Sequence, residues 1–540
     1  MRRAAVLLHP TALPSSYGIG DLGPEARHFV DWLQRSGASA WQVLPLSAPG
    51  PDGCPYSSPA SQIGDPLLIS LEDLAREGLL FEDEIAPLLE PLSPERPPAA
   101  LDFSALKEGR RPLLERAARR LLATPSHRLH APLQGFRSET PGLADTSLFR
   151  VLHRERRGAA WWTWEEALRD RDLARITREG GERAEALAFE ETIAFFFEHQ
   201  WAELRGYAAD RSVSIIGDLP IYVAGDSAEV WTRPDLFELH DGGRPFRVAG
   251  VPPDPFAPLG QRWGNPLYDW ERHAEEGYRW WIDRTAWVMA RCDLVRLDHF
   301  RGFASYYAIP AESPDARTGA WLEGPGAALF SALTSALGAL PLIAEDLGFI
   351  DAPVEALRRA VGLPSMRVLQ FGLDGEPGNP HAPGSVPEDA VVYTATPHTP
   401  PRRGWWTRAS EEERARAAQI LNCSGENFVD ALVRVALDSP ASWAVLPLQD
   451  LLGLGDEART NTPGTRVGNW SWRCAPGLMS EGLADRVACW IRQAGPIRSR
   501  VTLCRRSRPG SGPGPRPRTA APWCRAPAGS PPWWSLRPAP

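Results

Sequence analysis

The sequence predicts an α/β fold, a (β/α)8 TIM barrel carrying inserted, mainly helical subdomains. Three observations lead there. Eight short apolar, β-branched runs bounded by Pro, Gly or Asp recur along the 540 residues. They are near-continuously apolar, as strands buried on both faces are, and do not alternate as strands of a one-sided sheet would. Helical patterns lie between several of them, and strands alternating with helices build a parallel sheet that can close into a barrel.

The first run, residues 4–8, follows a basic start that imitates a signal peptide. His9 and Pro10 stop the apolar stretch short of a secretory core, so it reads as a first strand. A helical pattern over residues 24–35 leads to the second run, 40–46. About 165 residues then precede the third run, 213–223, and contain Arg- and Glu-rich helical stretches at 113–122 and 183–202. These are read as a helical insertion spanning about residues 71–205, with its charges on solvated faces. A helix over 272–290 precedes the fourth run, 294–300, and the fifth is 342–347. A helix over 355–361, then runs at 366–371, 391–396 and 443–448, complete the set. Residues 1–495 are therefore expected to form one catalytic barrel. The remainder, 496–540, is rich in Pro, Gly and Arg and has neither period, so a disordered or frame-shifted extension is expected there.

Composition narrows the function. No stretch approaches the roughly 18 apolar residues of a membrane span, so no membrane partner is expected. The seven cysteines are odd in number, scattered and without CxxC spacing, which argues against a disulfide scaffold or zinc site and for a reducing cytoplasm. The formal charge is −8, and residues 496–540 hold nine arginines and no acid, which leaves the preceding body at −17. A body that acidic does not suit nucleic acid. No oligomeric state follows from the sequence.

One motif is misleading. Gly18-Ile19-Gly20-Asp21-Leu22-Gly23 matches a dinucleotide-binding fingerprint. Asp21, however, would place a carboxylate in the phosphate cradle, and no acid lies in Gly37-Ala38-Ser39-Ala40-Trp41 where the ribose ligand belongs. A tight turn needing glycine backbone is the better reading.

The chemistry-bearing signals are acids at strand ends, because the C-terminal ends of barrel strands form the active-site mouth. Arg296-Leu297-Asp298-His299-Phe300 closes the fourth run and Ala344-Glu345-Asp346-Leu347-Gly348 the fifth. Two carboxylates facing each other across a substrate suit a retaining glycosidase, whose nucleophile and acid stand about 5–5.5 Å apart. Residues i and i+2 share a strand face, so Arg296 can lie beside Asp298 and hold it as an anion, leaving Glu345 as the group whose pKa is raised. A structural ion pair at the barrel rim is the bland alternative. Asp218, in Gly217-Asp218-Leu219-Pro220, could be a turn residue or a sugar ligand, and Asp254 reads as a loop residue. Gln261-Arg262-Trp263-Gly264-Asn265 sets an indole among amides, and Tyr56 lies in a hydroxyl-rich loop, as a sugar polymer requires.

These motifs resemble, in order, those of the amylomaltases, the 4-α-glucanotransferases of glycoside hydrolase family 77. The likeness runs from about residue 5 to about residue 473. It rests on His9-Pro10-Thr11-Ala12-Leu13-Pro14, Pro55-Tyr56-Ser57-Ser58-Pro59, Val251-Pro252-Pro253-Asp254, the Gln261, Arg296 and Ala344 motifs, Arg403-Gly404-Trp405-Trp406 and Gly468-Asn469-Trp470-Ser471-Trp472-Arg473. The resemblance implies a double displacement on α-1,4-glucans and maltooligosaccharides, with Asp298 as nucleophile and Glu345 as acid/base. It implies that Asp218, Gln261, Trp263, Arg296 and His299 hold the sugar, that Tyr56 serves the acceptor side, and that no metal or organic cofactor takes part.

Two positions depart from the family pattern. Where it has Thr-His-Asp before Gly-Trp-Trp, this chain reads Thr396-Pro397-His398-Thr399-Pro400-Pro401-Arg402-Arg403-Gly404. His398 thus stands at the position of the third carboxylate, with length preserved, as two compensating frame slips would leave it. Asp65 also stands where the family has asparagine. The departure at His398 predicts impaired turnover, and leaves a glucan-binding pseudoenzyme and a retaining α-glucan hydrolase as the competing readings.

Overall fold

The computed structural model describes residues 3–50, 52–89, 100–254, 257–465 and 467–495. The expectation for 496–540 lies outside the described residues. In chain order the strands are β1 (Ala4–Leu7), β2 (Ala40–Gln42), β3 (Ser214–Leu219), β4 (Arg247–Val251), β5 (Gln261–Pro266) and β6 (Leu294–Leu297). They continue with β7 (Ser305–Pro310), β8 (Ala320–Glu323), β9 (Leu342–Ala344), β10 (Ser365–Val368), β11 (Ala390–Tyr393) and β12 (Trp443–Pro447). Eight of them close a parallel barrel in the order β1-β12-β11-β10-β9-β6-β3-β2, and each falls on one of the eight predicted runs.

The apolar runs divide their side chains between two compartments. Ala5, Leu7, Ala40, Ile216, Ile343, Met366, Val368, Val391 and Val445 fill the barrel interior as one buried cluster. Their neighbours on the same strands, such as Val6, Trp41, Ile215, Val295 and Val392, join the larger layer between barrel and helices. Burial on both faces is why no polar alternation was visible.

The long β2–β3 connection is helical, including Phe103–Ala123, Leu143–Glu155 and Ala184–Asp210. Ala184–Asp210 serves both layers. Its first half holds Glu190 among Arg111, Arg150 and Arg154, while Tyr207 donates to Asp31 and Trp201 to the Arg291 carbonyl. The solvated-face reading therefore fails at Glu190, which is 1% exposed. Its charge is internal and paired, which periodicity alone does not distinguish from a wet face.

Two other expectations need correction. The pattern over 272–290 is broken into Trp270–Glu275 and Arg279–Met289. Gly277 and Tyr278 between them take left-handed φ values of 60° and 59°. The third run ends as a strand at Leu219, because Pro220 has no N–H to continue the ladder. The β3–β6 and β6–β9 connections together form an antiparallel sheet ordered β5-β4-β7-β8, which stands beside the mouth. Gly20 lies where a side chain could not, since an added Cβ would come 2.1 Å from the Pro10 carbonyl oxygen. That is the tight turn expected from the glycine motif.

Candidate active site

The β3–β6 register pairs Asp218 with Arg296, so both side chains leave the same face of the barrel wall. The next residues continue the ladder: the Asp298 N–H donates to the Leu219 carbonyl (3.0 Å) and the Glu345 N–H to that of Leu297 (3.1 Å). Strand geometry alone thus gathers four charged side chains at one end of β3, β6 and β9.

Arg296 is their hub. Its Nη1 donates to both oxygens of Asp218 (2.9 and 2.8 Å) and its Nη2 to Asp298 Oδ1 (2.7 Å). The same Nη2 lies 3.9 Å from Glu345 Oε2, so one nitrogen stands between the two candidate catalytic carboxylates. Burial opposes the charge on Arg296, but Asp218 and Asp298 outweigh it and hold the guanidinium firmly protonated. The Tyr56 hydroxyl donates to Asp218 Oδ2 (2.7 Å), which places the predicted acceptor-side ring against the same cluster.

Burial raises the Asp218 pKa to about 7 despite Arg296 and acts further on Glu345. Burial raises its pKa to about 8, and Arg296 only partly offsets this. It accepts one backbone hydrogen bond, from the His299 N–H (2.7 Å). His299 takes a left-handed conformation (φ 48°, ψ 51°), uncommon for a residue with a side chain, and this turn after Asp298 is what presents its N–H to Glu345. Its ring stands edge-on to Trp263 at 4.9 Å, and burial lowers its pKa to about 4, so the imidazole is neutral. Trp263 remains 39% exposed, a face free for a ligand, and donates to Gln261 Oε1 (3.2 Å). Asp218, Gln261, Trp263, Arg296, Asp298, His299 and Glu345, with Tyr56, are therefore joined by direct contacts.

His398 follows β11 and reaches the same cleft. Its ring lies 5.7 Å from that of Tyr56 and 5.8 Å from Trp470. Burial, reinforced by the charge of Arg296, pushes its pKa down to about 4. The ring is therefore neutral at neutral pH and adds no charge of either sign. Asn461 Nδ2 stands 2.7 Å from His398 Nδ1. Sequence reasoning quoted Trp470 within a motif without giving it a role and did not single out Asn461. Neither carries a local signal, since their importance comes only from packing against His398.

The residues after Thr396 that depart from the family pattern are tied to their surroundings. Thr399 closes a turn onto Thr396, and Arg402 starts the helix Arg402–Arg408 with its N–H on Asp450 Oδ1 (2.8 Å). The Arg402 guanidinium is fully buried: its Nη2 donates to the Thr399 hydroxyl (3.3 Å) and the Pro400 carbonyl, its Nε lies 3.9 Å from Asp450 Oδ2, and Nε and Nη1 make no hydrogen bond. Burial lowers the Arg402 pKa to about 10, and Asp450 only partly offsets this. Asp65, by contrast, is well used: it caps the turn Pro66–Leu68 by accepting from the Leu67 N–H (3.0 Å). Among the described residues, no group of three or more His, Cys, Asp or Glu side chains is placed to hold a metal ion.

Comparison with known proteins matches the chain to one family, described as 4-alpha-glucanotransferase, over residues 8–479. The 4-alpha-glucanotransferase of Thermus thermophilus is 41% identical over 488 residues, covering 89% of this chain and 96% of that protein. The chloroplastic/amyloplastic enzyme of Solanum tuberosum is 41% identical over 480 residues, covering 87% and 82%. Among solved structures, the amylomaltase of Streptococcus agalactiae in complex with acarbose superposes with a TM-score of 0.87 at 33% identity, covering 92% of this chain and 99% of that one.

Proposed function

The chain belongs to the 4-alpha-glucanotransferase family, and from that premise we propose that it moves α-1,4-glucan segments between maltooligosaccharides by a retaining double displacement. Asp298 attacks the anomeric carbon while Glu345 gives its proton to the departing glycosidic oxygen, leaving a glycosyl ester on Asp298. Glu345, now ionised, takes the proton from the 4-hydroxyl of an acceptor glucan, whose oxygen displaces Asp298 and restores both groups. Asp218, Gln261, Trp263, Arg296 and His299 hold the sugar beside the scissile bond, and Tyr56 borders the acceptor.

The observation that carries this reading is the shared nitrogen of Arg296, 2.7 Å from Asp298 and 3.9 Å from Glu345. Two carboxyl groups flanking one atom are close, which supports the short separation of a retaining pair over the wider one of an inverting site. The raised pKa of Glu345 keeps it protonated as an acid at neutral pH. The body consists of residues 1–495 with a helical insertion at about 71–205, and the substrates suit a cytoplasmic setting. Among the described residues, no helix is long and apolar enough to cross a membrane.

His398 sets the level of turnover. A neutral imidazole cannot stabilise an oxocarbenium-like sugar as an anion does, so catalysis is weak while glucan binding persists. The test is maltotriose disproportionation. Glucose together with longer maltooligosaccharides, formed slowly, is the expected result, whereas glucose and maltose alone would make the chain a hydrolase. Tight glucan binding with no product at all would make it a binding protein.

A further inference from the structure

We infer that His398 donates a hydrogen bond to a glucan hydroxyl and that Asn461 is the positioning residue that turns its Nε2–H toward the cleft. This deepens the transferase reading and rests on it. The Asn461 amide nitrogen faces the ring at 2.7 Å, so Nδ1 is the acceptor and the single proton of the imidazole sits on Nε2. Asn461 is held in place in its turn. Its N–H donates to the Pro397 carbonyl (3.1 Å) and its own carbonyl accepts from Arg459 Nε (2.9 Å). Arg459 Nη2 closes the loop by donating to the His398 carbonyl (3.3 Å). The segments 397–398 and 459–461 are thus tied at three points, and the ring cannot turn without breaking one.

The ring's remaining surroundings leave Nε2 as its free polar atom. The rings of Tyr56 and Trp470 pack against it as a triangle, 5.9 Å from each other. Among the described residues Nε2 meets no protein partner, and it is not among the sealed, unpaired polar atoms. The neighbouring Tyr56 has its hydroxyl on Asp218, so the His398 ring borders the cleft where the sugar would sit. A sugar hydroxyl can donate to a carboxylate or, by rotating, accept from an N–H. Exchange of a carboxylate for this imidazole therefore reverses the direction of the hydrogen bond without abolishing it. Binding keeps a contact, and only the anion is lost.

The full chain, labelled with 15N-histidine and assigned through His398→Asn, should show the Nε2–H tautomer for His398 by NMR. Acarbose binding, followed by calorimetry, should weaken about three- to tenfold in Asn461→Ala, the worth of one oriented hydrogen bond. The loss should fall on KM more than on kcat. Asn461→Asp should accept from Nδ1–H and move the proton off Nε2, which the same NMR measurement reads as a change of tautomer. An Nδ1–H tautomer in the unaltered chain, or unchanged acarbose affinity in Asn461→Ala, would overturn the inference while leaving the transferase reading intact. Failure of the unaltered chain to bind acarbose at all would overturn both.

Discussion

Restoring the missing anion should raise turnover far more than affinity. The perturbation is the double substitution Pro397→His and His398→Asp. The site can accept it: an aspartate is smaller than the histidine, and Asn461 Nδ2 can donate to a carboxylate as it does to Nδ1. The Pro397 carbonyl that receives the Asn461 N–H survives the change to histidine. A unit negative charge about 4 Å from the charge developing on the sugar is worth about 4 kcal/mol at an effective dielectric of about 20. Residue 398 is only half-buried, so about 2–4 kcal/mol is the realistic range, or a factor of about 30 to 1000 in kcat. That matches the loss of a single preorganised group in other enzymes, about 2.7–4 kcal/mol. The assay is maltotriose disproportionation at saturating substrate, comparing kcat and KM of the two chains. An unaltered chain working at about 10 per second, a typical enzymatic rate, would refute the reasoning. So would a folded, glucan-binding double variant with no gain.

Asp298→Asn should abolish transfer with folding intact, because the amide oxygen can still accept from Arg296 Nη2 but is a poor nucleophile; near-normal turnover would exclude the assignment. Glu345→Gln should cripple maltotriose turnover much more than turnover of a glycosyl fluoride, whose leaving group needs little protonation, and equal losses would remove Glu345 from the acid's role. In the unaltered chain, kcat/KM should fall about tenfold per pH unit above about 8, as the raised Glu345 carboxyl ionises; a flat profile to pH 10 would contradict it. Asp65, which burial raises to about 6, is destabilising only when ionised. Below about pH 4 both folded and unfolded forms are protonated and nothing is lost, whereas above about pH 6 the full cost, at most about 3 kcal/mol, applies. Asp65→Asn keeps the cap and should raise Tm at pH 7.5 but not at pH 4, and an equal shift at both would assign the effect to something other than charge.

The barrel was legible because its strands are buried on both faces, which writes them into the chain as uninterrupted apolar runs. What could not be read was anything decided by two distant segments. The helical period over 272–290 continues straight through Gly277 and Tyr278, where the backbone turns left-handed. Glu190 looks like any exposed helix acid until Arg111 and Arg150 arrive from other helices. Within the site, Arg296 and Asp298 could be paired from strand alternation, being two residues apart. The second partner of Arg296, Asp218, lies 78 residues away and becomes certain only through the β3–β6 register.

The same limit bears on His398, whose charge the sequence leaves open. A protonated ring would oppose the charge on the sugar, whereas a neutral one would only fail to attract it. In the folded chain, burial and the Arg296 charge win over Asp298, and the ring is neutral. On the proposed reading the defect is an absent attraction and not an added repulsion, and the two make different predictions. Repulsion would lower kcat further as the ring gains its proton, because the sugar is charged only in the transition state. An absent attraction leaves the bound glucan almost untouched and lowers only the rate. Because the His398 pKa lies at about 4, glucan affinity should stay level from pH 5.5 to pH 8 and fall only as the ring gains its proton near pH 4. Calorimetry with acarbose across that range separates the two accounts, and an affinity that dropped steadily from pH 7 to pH 5.5 would mean that the imidazole titrates in the ordinary range and that the neutral-donor picture of this site is wrong.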